Sequence, residues 1–468
     1  MPNGNTGAAV IADLERVVAA ARPGERLPSV RELMARHRVG PGTVQQAVGA
    51  LVARGVVEAR PGRGTFVAEG PAAPAAPAAP ADLGWQSVAL GSSPYAGVGP
   101  LEDLRRLPPP GDVLLSTGYL PADLQPRGAL GQALARAARR PDVWGRVPLE
   151  GVPALREHFA AEVGGGAEAA DVLICPGGQS ALNACLRALA PPGAPVVVES
   201  PTYSGMLVLA RAAGLRPVPV PSDAGGVRPE LLADALRRSG ARVAYLQPTF
   251  ANPHGTTLAA DRRADVLAAA ADAGAFIVED IPFHELALDG APTPPPLWHD
   301  DRHGHVVSVR SLTKSASPGM RVAAVLARGP AAARIRAARI VDDLLVAGPL
   351  QEAAVELVAA PAWARHLRTL RATLRERRDA LAATVDRELG PGRLAALPRG
   401  GFHLWVALDP HEDDIDTAAR AARAGVVVSA GRWFFPAEAT GPHLRLSFAG
   451  APPDRLAEGV RRLAAARG

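Results

Sequence analysis

Ser311-Leu312-Thr313-Lys314-Ser315-Ala316-Ser317-Pro318-Gly319-Met320-Arg321 holds the single lysine of a 468-residue chain whose Lys and Arg together number 51, so the other fifty are arginine. A guanidinium keeps its proton, whereas a desolvated lysine ammonium can shed one and attack a carbonyl. The one position that retains a primary amine is therefore a candidate nucleophile. Hydroxyls at minus three and minus one, with an arginine at plus seven, surround that amine with anion donors suited to a phosphate beside a Schiff base. Ser311-x-x-Lys314 also fits the Ser-x-x-Lys signature of penicillin-binding enzymes, but that chemistry needs a second lysine in Lys-Thr-Gly, and none exists. The same absence excludes a Walker A loop, which ends in Gly-Lys.

Outward from this stretch the chain alternates. A strand candidate, His305–Val309, precedes the lysine, and others lie at Asp171–Cys175, Pro195–Glu199, Val243–Gln247 and Phe276–Asp280, separated by Ala/Leu/Arg runs with helical spacing. Such alternation predicts an α/β fold with a mostly parallel sheet covered by helices. From about Pro349 the pattern turns helix-rich and closes on strand candidates Phe402–Ala407 and Leu444–Phe448, as expected of a small C-terminal α/β subdomain. Upstream, the Pro-Ala-Ala repeat of residues 71–80 cannot hold a helix and reads as a semi-rigid spacer. These boundaries divide the chain into an N-terminal unit (1–70), a Pro/Ala-rich linker (71–109) and a large domain (110–468).

Composition narrows the setting. An apolar fraction of 48% is enough for a globular core. Cys175 and Cys185 provide neither metal-ligand spacing nor a disulfide framework, and the first residues lack a signal-peptide layout, which fits a reducing cytoplasm. No run is long and apolar enough to span a bilayer, so no membrane partner is expected. The net charge of +5 is modest, but residues 1–70 contain nine arginines against six acids, a local hint of nucleic acid.

Within that unit, Ile11–Ala21 has helical spacing. Ser29 followed by Glu32 forms a capping-box signature for a second helix ending near His37. After Val39-Gly40-Pro41-Gly42, Thr43–Arg54 repeats Val44, Ala47, Val48 and Leu51 on one face and leaves Thr43, Gln45 and Gln46 pointing elsewhere. Strand-like Val56–Ala59 and Thr65–Val67 then flank Arg60-Pro61-Gly62-Arg63-Gly64, a basic loop able to ride on a phosphate backbone. Leu27-Pro28-Ser29-Val30-Arg31-Glu32-Leu33 together with Arg60-Pro61-Gly62-Arg63-Gly64-Thr65-Phe66-Val67 resembles the winged helix-turn-helix of the GntR family. The resemblance implies double-stranded operator DNA as partner, with Arg31 on phosphate, Thr43, Gln45 and Gln46 at the major groove, and Arg60, Arg63 and Gly64 at the minor groove. The chain departs from it at Gly40-Pro41, where a polar or basic pair is common, and at Gln45, where arginine is frequent.

The large domain carries more chemistry. Pro176-Gly177-Gly178-Gln179-Ser180 follows a strand and opens a helix, Ala181–Leu189, so its free N–H groups can bind a dianion. Phe276-Ile277-Val278-Glu279-Asp280 is an apolar strand ending in acids, where open α/β sheets place ligand-binding groups. Gly178, Gln179, Tyr203, Asn252, Asp280, Ser311, Thr313, Lys314, Arg321 and Arg445 occur in an order and spacing similar to the fold-type I pyridoxal 5'-phosphate aminotransferases. The resemblance implies Lys314 as the catalytic internal aldimine, Asp280 on the pyridine nitrogen, Asn252 on the phenolic oxygen and Tyr203 on the ring face. It also implies Gly178, Gln179, Ser311, Thr313 and Arg321 on the phosphate, Arg445 on a substrate carboxylate, and no metal. One position departs: the family usually places a tyrosine two or three residues past the aspartate, and this chain has Pro282 and Phe283.

A GntR winged helix joined to an aminotransferase-like domain resembles the MocR subgroup of bacterial regulators. It implies a cytoplasmic, homodimeric, pyridoxal-phosphate-dependent transcription regulator that senses an amine or amino-acid effector, or the cofactor itself. The alternative is a working aminotransferase whose winged helix has decayed.

Overall fold

The structure, a computed structural model, describes residues 4–68, 83–91, 109, 111–290 and 292–467. The chain divides into two compact units, Met1–Gly91 and Ser92–Gly468. The Pro-Ala-Ala repeat of the expected linker lies outside the described residues, and Gly84–Leu90 within that linker is a short helix.

The first unit contains α1 (Gly4–Ala20), α2 (Val30–His37), α3 (Pro41–Ala53) and a hairpin of β1 (Val57–Arg60) with β2 (Gly64–Val67). Ser29 caps α2 through the reciprocal bonds that the Ser-x-x-Glu pattern predicts: Glu32 N–H donates to Ser29 Oγ at 3.3 Å, and Ser29 N–H to the Glu32 carboxylate at 2.7 Å. Gly40 precedes α3 without a side-chain cap, and Pro41 occupies its first turn, where a missing N–H costs nothing and the fixed φ suits a helix. Val10, Leu14, Leu27, Leu33, Val44, Ala47, Leu51, Val57 and Val67 form the core.

The second unit is built on an eight-stranded sheet. Its strands in chain order are β4 (Val172–Cys175), β5 (Pro195–Ser200), β6 (Arg216–Asp223), β7 (Gly226–Val227), β8 (Val243–Leu246), β9 (Phe276–Asp280), β10 (Val306–Ser311) and β11 (Ala323–Leu326). Their spatial order is β4-β11-β10-β9-β8-β5-β6-β7. The run from β10 to β6 is parallel, whereas β11 is antiparallel to both its neighbours. Alternate residues of the strands enter different cores. Ile174, Val197, Ala244, Ile277 and Val306 join one, while Leu173, Val196, Val243, Val278 and Val307 join the other. A sheet buried on both faces explains why these strands read as unbroken apolar runs.

A smaller subdomain holds a three-stranded sheet of β12 (His403–Ala407), β15 (His443–Ser447) and β14 (Ser429–Ala430), in that order. Beside it, β3 (Val113–Leu114) pairs with β13 (Val426–Val427). The 29-residue helix Pro361–Leu389 buries Leu367, Leu370, Leu374, Leu381 and Val385, spaced by three, four, seven and four residues along one face. Among the described residues no helix is long and apolar enough to cross a membrane.

Candidate functional site

The chain re-enters loops at the carboxyl ends of β4, β5, β8, β9 and β10, which point the same way, and those loops wall one cavity of about 220 Å³. Its lining includes Tyr119, Gly178, Gln179, Tyr203, Gln247, Asn252, Asp280, Phe283, Ser311, Thr313, Lys314 and Arg321. Of the ten residues expected at the site, nine therefore line one space. Arg445 stands beside it, its guanidinium donating to Asn252 Oδ1 at 3.1 Å.

Lys314 follows β10. Its Nζ donates to the Gly118 carbonyl at 2.8 Å and lies 4.2 Å from the centre of the Tyr119 ring. Burial first, then the positive charge of Arg445, pulls the amine down to about 8, with Asp280 partly opposing and Arg321 adding to the effect. A group in that range loses its proton near neutrality and becomes a nucleophile.

Asp280 ends β9 and is 6% exposed. Tyr245 Oη donates to its Oδ2 at 2.7 Å and Gln247 Nε2 at 2.9 Å. Burial still raises the carboxyl above its usual range, against those two donors and Lys314, so it holds a proton more readily than an exposed aspartate would.

The anion cup forms where β4 turns into the helix Gly178–Leu189 at Gly177, whose φ is 101°. A Cβ on Gly177 would stand 2.2 Å from Arg321 Nη2, so glycine is what allows guanidinium and backbone to meet there. Arg321 Nη2 donates to the Pro176 carbonyl at 2.8 Å, and Ser311 Oγ donates to Thr313 Oγ1 at 2.9 Å. The Gln179 amide is engaged elsewhere: its Oε1 accepts from Tyr203 Oη at 3.1 Å, and its Nε2 donates to the Gly205 carbonyl at 3.4 Å. What Gln179 offers an anion is its backbone N–H in the first turn of the helix.

Arg445, on β15, is 8% exposed and donates to Asn252 Oδ1, the Ser116 carbonyl and Ser429 Oγ. Its Nε is buried without a partner, and no carboxylate pairs with it among the described residues. Desolvation brings it down to about 10. Around the cavity, then, three cations, Lys314, Arg321 and Arg445, face one acid, Asp280. Buried charge of one sign is costly unless a counter-charge arrives.

Where the family tyrosine was missed, Pro282 and Phe283 form an apolar wall, Phe283 meeting Phe402 edge to face at 5.0 Å. Sequence reasoning did not single out Tyr119, Tyr245 or Gln247. For Gln247 a signal existed, since a polar residue closes the apolar strand β8 as Asp280 closes β9. A buried tyrosine also needs a partner for its hydroxyl, but its identity is not local in sequence.

In the first unit, Gln45 and Gln46 are exposed on α3, and Thr43 is half-buried, its methyl 3.8 Å from where a Gly7 Cβ would lie. Arg31 and Arg63 are exposed and form no ion pair among the described residues. Arg60 is already engaged, by Glu58 at 3.0 Å and by the Phe66 ring at 4.8 Å. Gly64 adopts φ 112°, with the Arg26 side chain packed against it.

Residues 112–463 match the family model described as aminotransferase class I and II, and residues 7–67 match that of bacterial regulatory proteins, gntR family. The chain is 26% identical to the uncharacterized HTH-type transcriptional regulator YdfD of Bacillus subtilis, over 94% of this chain and 91% of that one. It is 28% identical to the vitamin B6 salvage pathway transcriptional repressor PtsJ of Salmonella typhimurium, over 89% and 88%. The solved structure of LysN, the α-aminoadipate aminotransferase of Thermus thermophilus complexed with N-(5'-phosphopyridoxyl)-L-leucine, superposes with a TM-score of 0.74 at 29% identity, covering 82% of this chain and 97% of that one.

Proposed function

The chain belongs to the class I and II aminotransferase family and carries a gntR-family domain ahead of that fold, and on that premise we propose that it is a pyridoxal-phosphate-dependent, DNA-binding transcription regulator. The observation that carries the reading is the imbalance of charge around one cavity: three cations, Arg445 buried and Lys314 and Arg321 half-buried, against a single acid. A phosphorylated cofactor and a carboxylate-bearing effector would together balance it.

The residues present fit the cofactor. The helix N-terminus at Gly178 and Gln179, with Ser311, Thr313 and Arg321, suits its phosphate. Asp280 suits the protonated ring nitrogen, Asn252 the phenolic oxygen, Tyr203 the ring face and Lys314 the aldehyde. When bound, pyridoxal phosphate supplies an electrophilic carbon that takes up amines and a ring that withdraws electrons.

Arg445 would bind the effector's carboxylate. It stands on the small subdomain and Lys314 on the large sheet, so an effector that engages both favours one disposition of the two over another. Occupancy then becomes a population shift. We assign the winged helix within residues 1–70 to DNA and residues 110–468 to sensing. A homodimer would present two winged helices to paired half-sites.

A gel shift with the DNA upstream of the chain's own coding sequence, with and without pyridoxal phosphate, tests this. A shift that changes with cofactor or with amino acids is expected; no shift under any condition would refute it. The completeness of the site favours a second reading, a working aminotransferase with a decayed winged helix. That reading requires multiple-turnover transamination by a protein that leaves DNA unshifted. A response to the cofactor alone, with none to amines, would narrow the first reading to a cofactor sensor.

A further inference from the structure

The chain has four tyrosines; Tyr119 and Tyr203 line the cavity with Lys314, and Tyr245 stands behind Asp280. Two are committed through their hydroxyls, Tyr203 to Gln179 and Tyr245 to Asp280. Tyr119 differs, because its hydroxyl has no hydrogen-bond partner among the described residues and its ring, not its oxygen, faces the amine, 4.2 Å from Nζ.

The turn that carries the ring is tied down. Tyr119 N–H donates to Thr117 Oγ1 at 3.2 Å, and the Gly118 carbonyl accepts from Lys314 Nζ at 2.8 Å. One three-residue turn thus gives the amine both an acceptor and an aromatic face. The face of a phenol carries negative quadrupole and attracts a cation regardless of its hydroxyl. Opposing it are burial and the guanidiniums of Arg445 and Arg321, with Asp280 acting in the same direction as the ring. His403, held neutral by burial and by the charges of Arg445 and Lys314, adds no charge of its own.

We propose that Tyr119 is a positioning residue for Lys314, its ring rather than its hydroxyl holding the amine against Gly118 and aimed into the cavity. The proposal rests on Lys314 being the reactive amine, yet its first test needs no cofactor. Because the chain holds one lysine, full-length protein labelled only in lysine gives one side-chain signal by NMR, and its pH titration reads this amine alone.

The Tyr119→Phe variant is expected to titrate close to the native protein. Tyr119→Leu and Tyr119→Met are expected to titrate lower by about half a unit to one unit, the size of a half-buried cation–aromatic contact. The second readout is the rate of cofactor capture on its high-pH plateau, where the amine is neutral in every variant. It should fall several-fold in Tyr119→Leu and Tyr119→Met and recover in Tyr119→Phe. Equal losses in the Phe and Leu variants would move the role to the hydroxyl and overturn the proposal. Unchanged titrations and plateaus would overturn it too, leaving Tyr119 as wall. If the titrations shift as expected while native protein captures no cofactor, the proposed function fails and the positioning role stands.

Discussion

Replacing Asp280 with asparagine separates what this carboxylate does for the cofactor from what it does for the fold. Its Oδ2 accepts from Tyr245 and Gln247, and an asparagine oxygen can keep both bonds. The group turned toward the cavity then changes from a proton-sharing carboxylate to an amide donor. A hydrogen bond to an ionised group contributes about 1.5–3 kcal/mol, so cofactor affinity should fall about 12- to 150-fold at ~1.4 kcal/mol per tenfold. At a cofactor level of about 100 times Kd the native protein gains ~2.7 kcal/mol, and a loss of about 30-fold would leave ~0.9 kcal/mol.

The cofactor-free protein should respond in the opposite sense. Burial raises the Asp280 carboxyl. Between the ordinary carboxylate range and that raised value the folded chain holds a proton that the unfolded chain has released. Stability from this group therefore falls as pH rises through that window. Asparagine escapes the penalty. Thermal melts at neutral pH should show Asp280→Asn more stable than native without cofactor and less stable with it. The assay is a pair of melting curves plus a spectral titration of cofactor. Native-like affinity in the variant, or a cofactor-free protein clearly weakened by the change, would refute the role given to Asp280.

Lys314 should capture the cofactor faster as pH rises through about 8, because only the neutral amine attacks; Arg445→Gln should shift that midpoint upward in stopped-flow traces, since a nearby positive charge is removed. Gly177→Ala places a methyl 2.2 Å from Arg321 Nη2 at a φ of 101°, and strain of this kind is about 1–3 kcal/mol, so equilibrium dialysis should show weakened cofactor binding. Arg31→Ala and Arg63→Ala should each weaken DNA binding across all sequences and reduce the salt slope by about 1 in gel shifts at several ionic strengths. Arg60→Ala should do less, because Glu58 and Phe66 already occupy that guanidinium.

The central strands were legible because burial on two faces makes them apolar throughout. β9 runs over Phe276–Asp280 as expected, and β5 and β8 match their expected spans to within a residue. β6 was not read, for a physical reason. Its sequence, Arg216–Asp223, has proline at 217, 219 and 221, which reads as a breaker in a central strand. In the sheet it pairs with β5 along one side and only with the two-residue β7 on the other, so alternate missing N–H groups leave few bonds unmade. β11 escaped notice because Ala323–Leu326 is too short and too rich in alanine to stand out from a helical run.

The site divides along a similar line. Lys314, Asp280, Ser311 and the Gly177-Gly178 turn announce themselves because each sits where a strand ends, and strand ends can be read from local pattern. Tyr119 lies in a turn after the two-residue β3, which pairs with β13 about 310 positions further along the chain; no local periodicity foretells that the ring meets Lys314. Arg445 was found by resemblance, but its significance is a matter of burial. On β15 it is buried on the face it shares with His443 and Ser447, while Leu444 and Leu446, on the strand's opposite face, are fully buried in the apolar core of the subdomain. A guanidinium kept in such a place without an acid beside it is a cost the fold carries whenever no anion is bound, and on the proposed function that cost would give a carboxylate effector leverage over the subdomain that bears it.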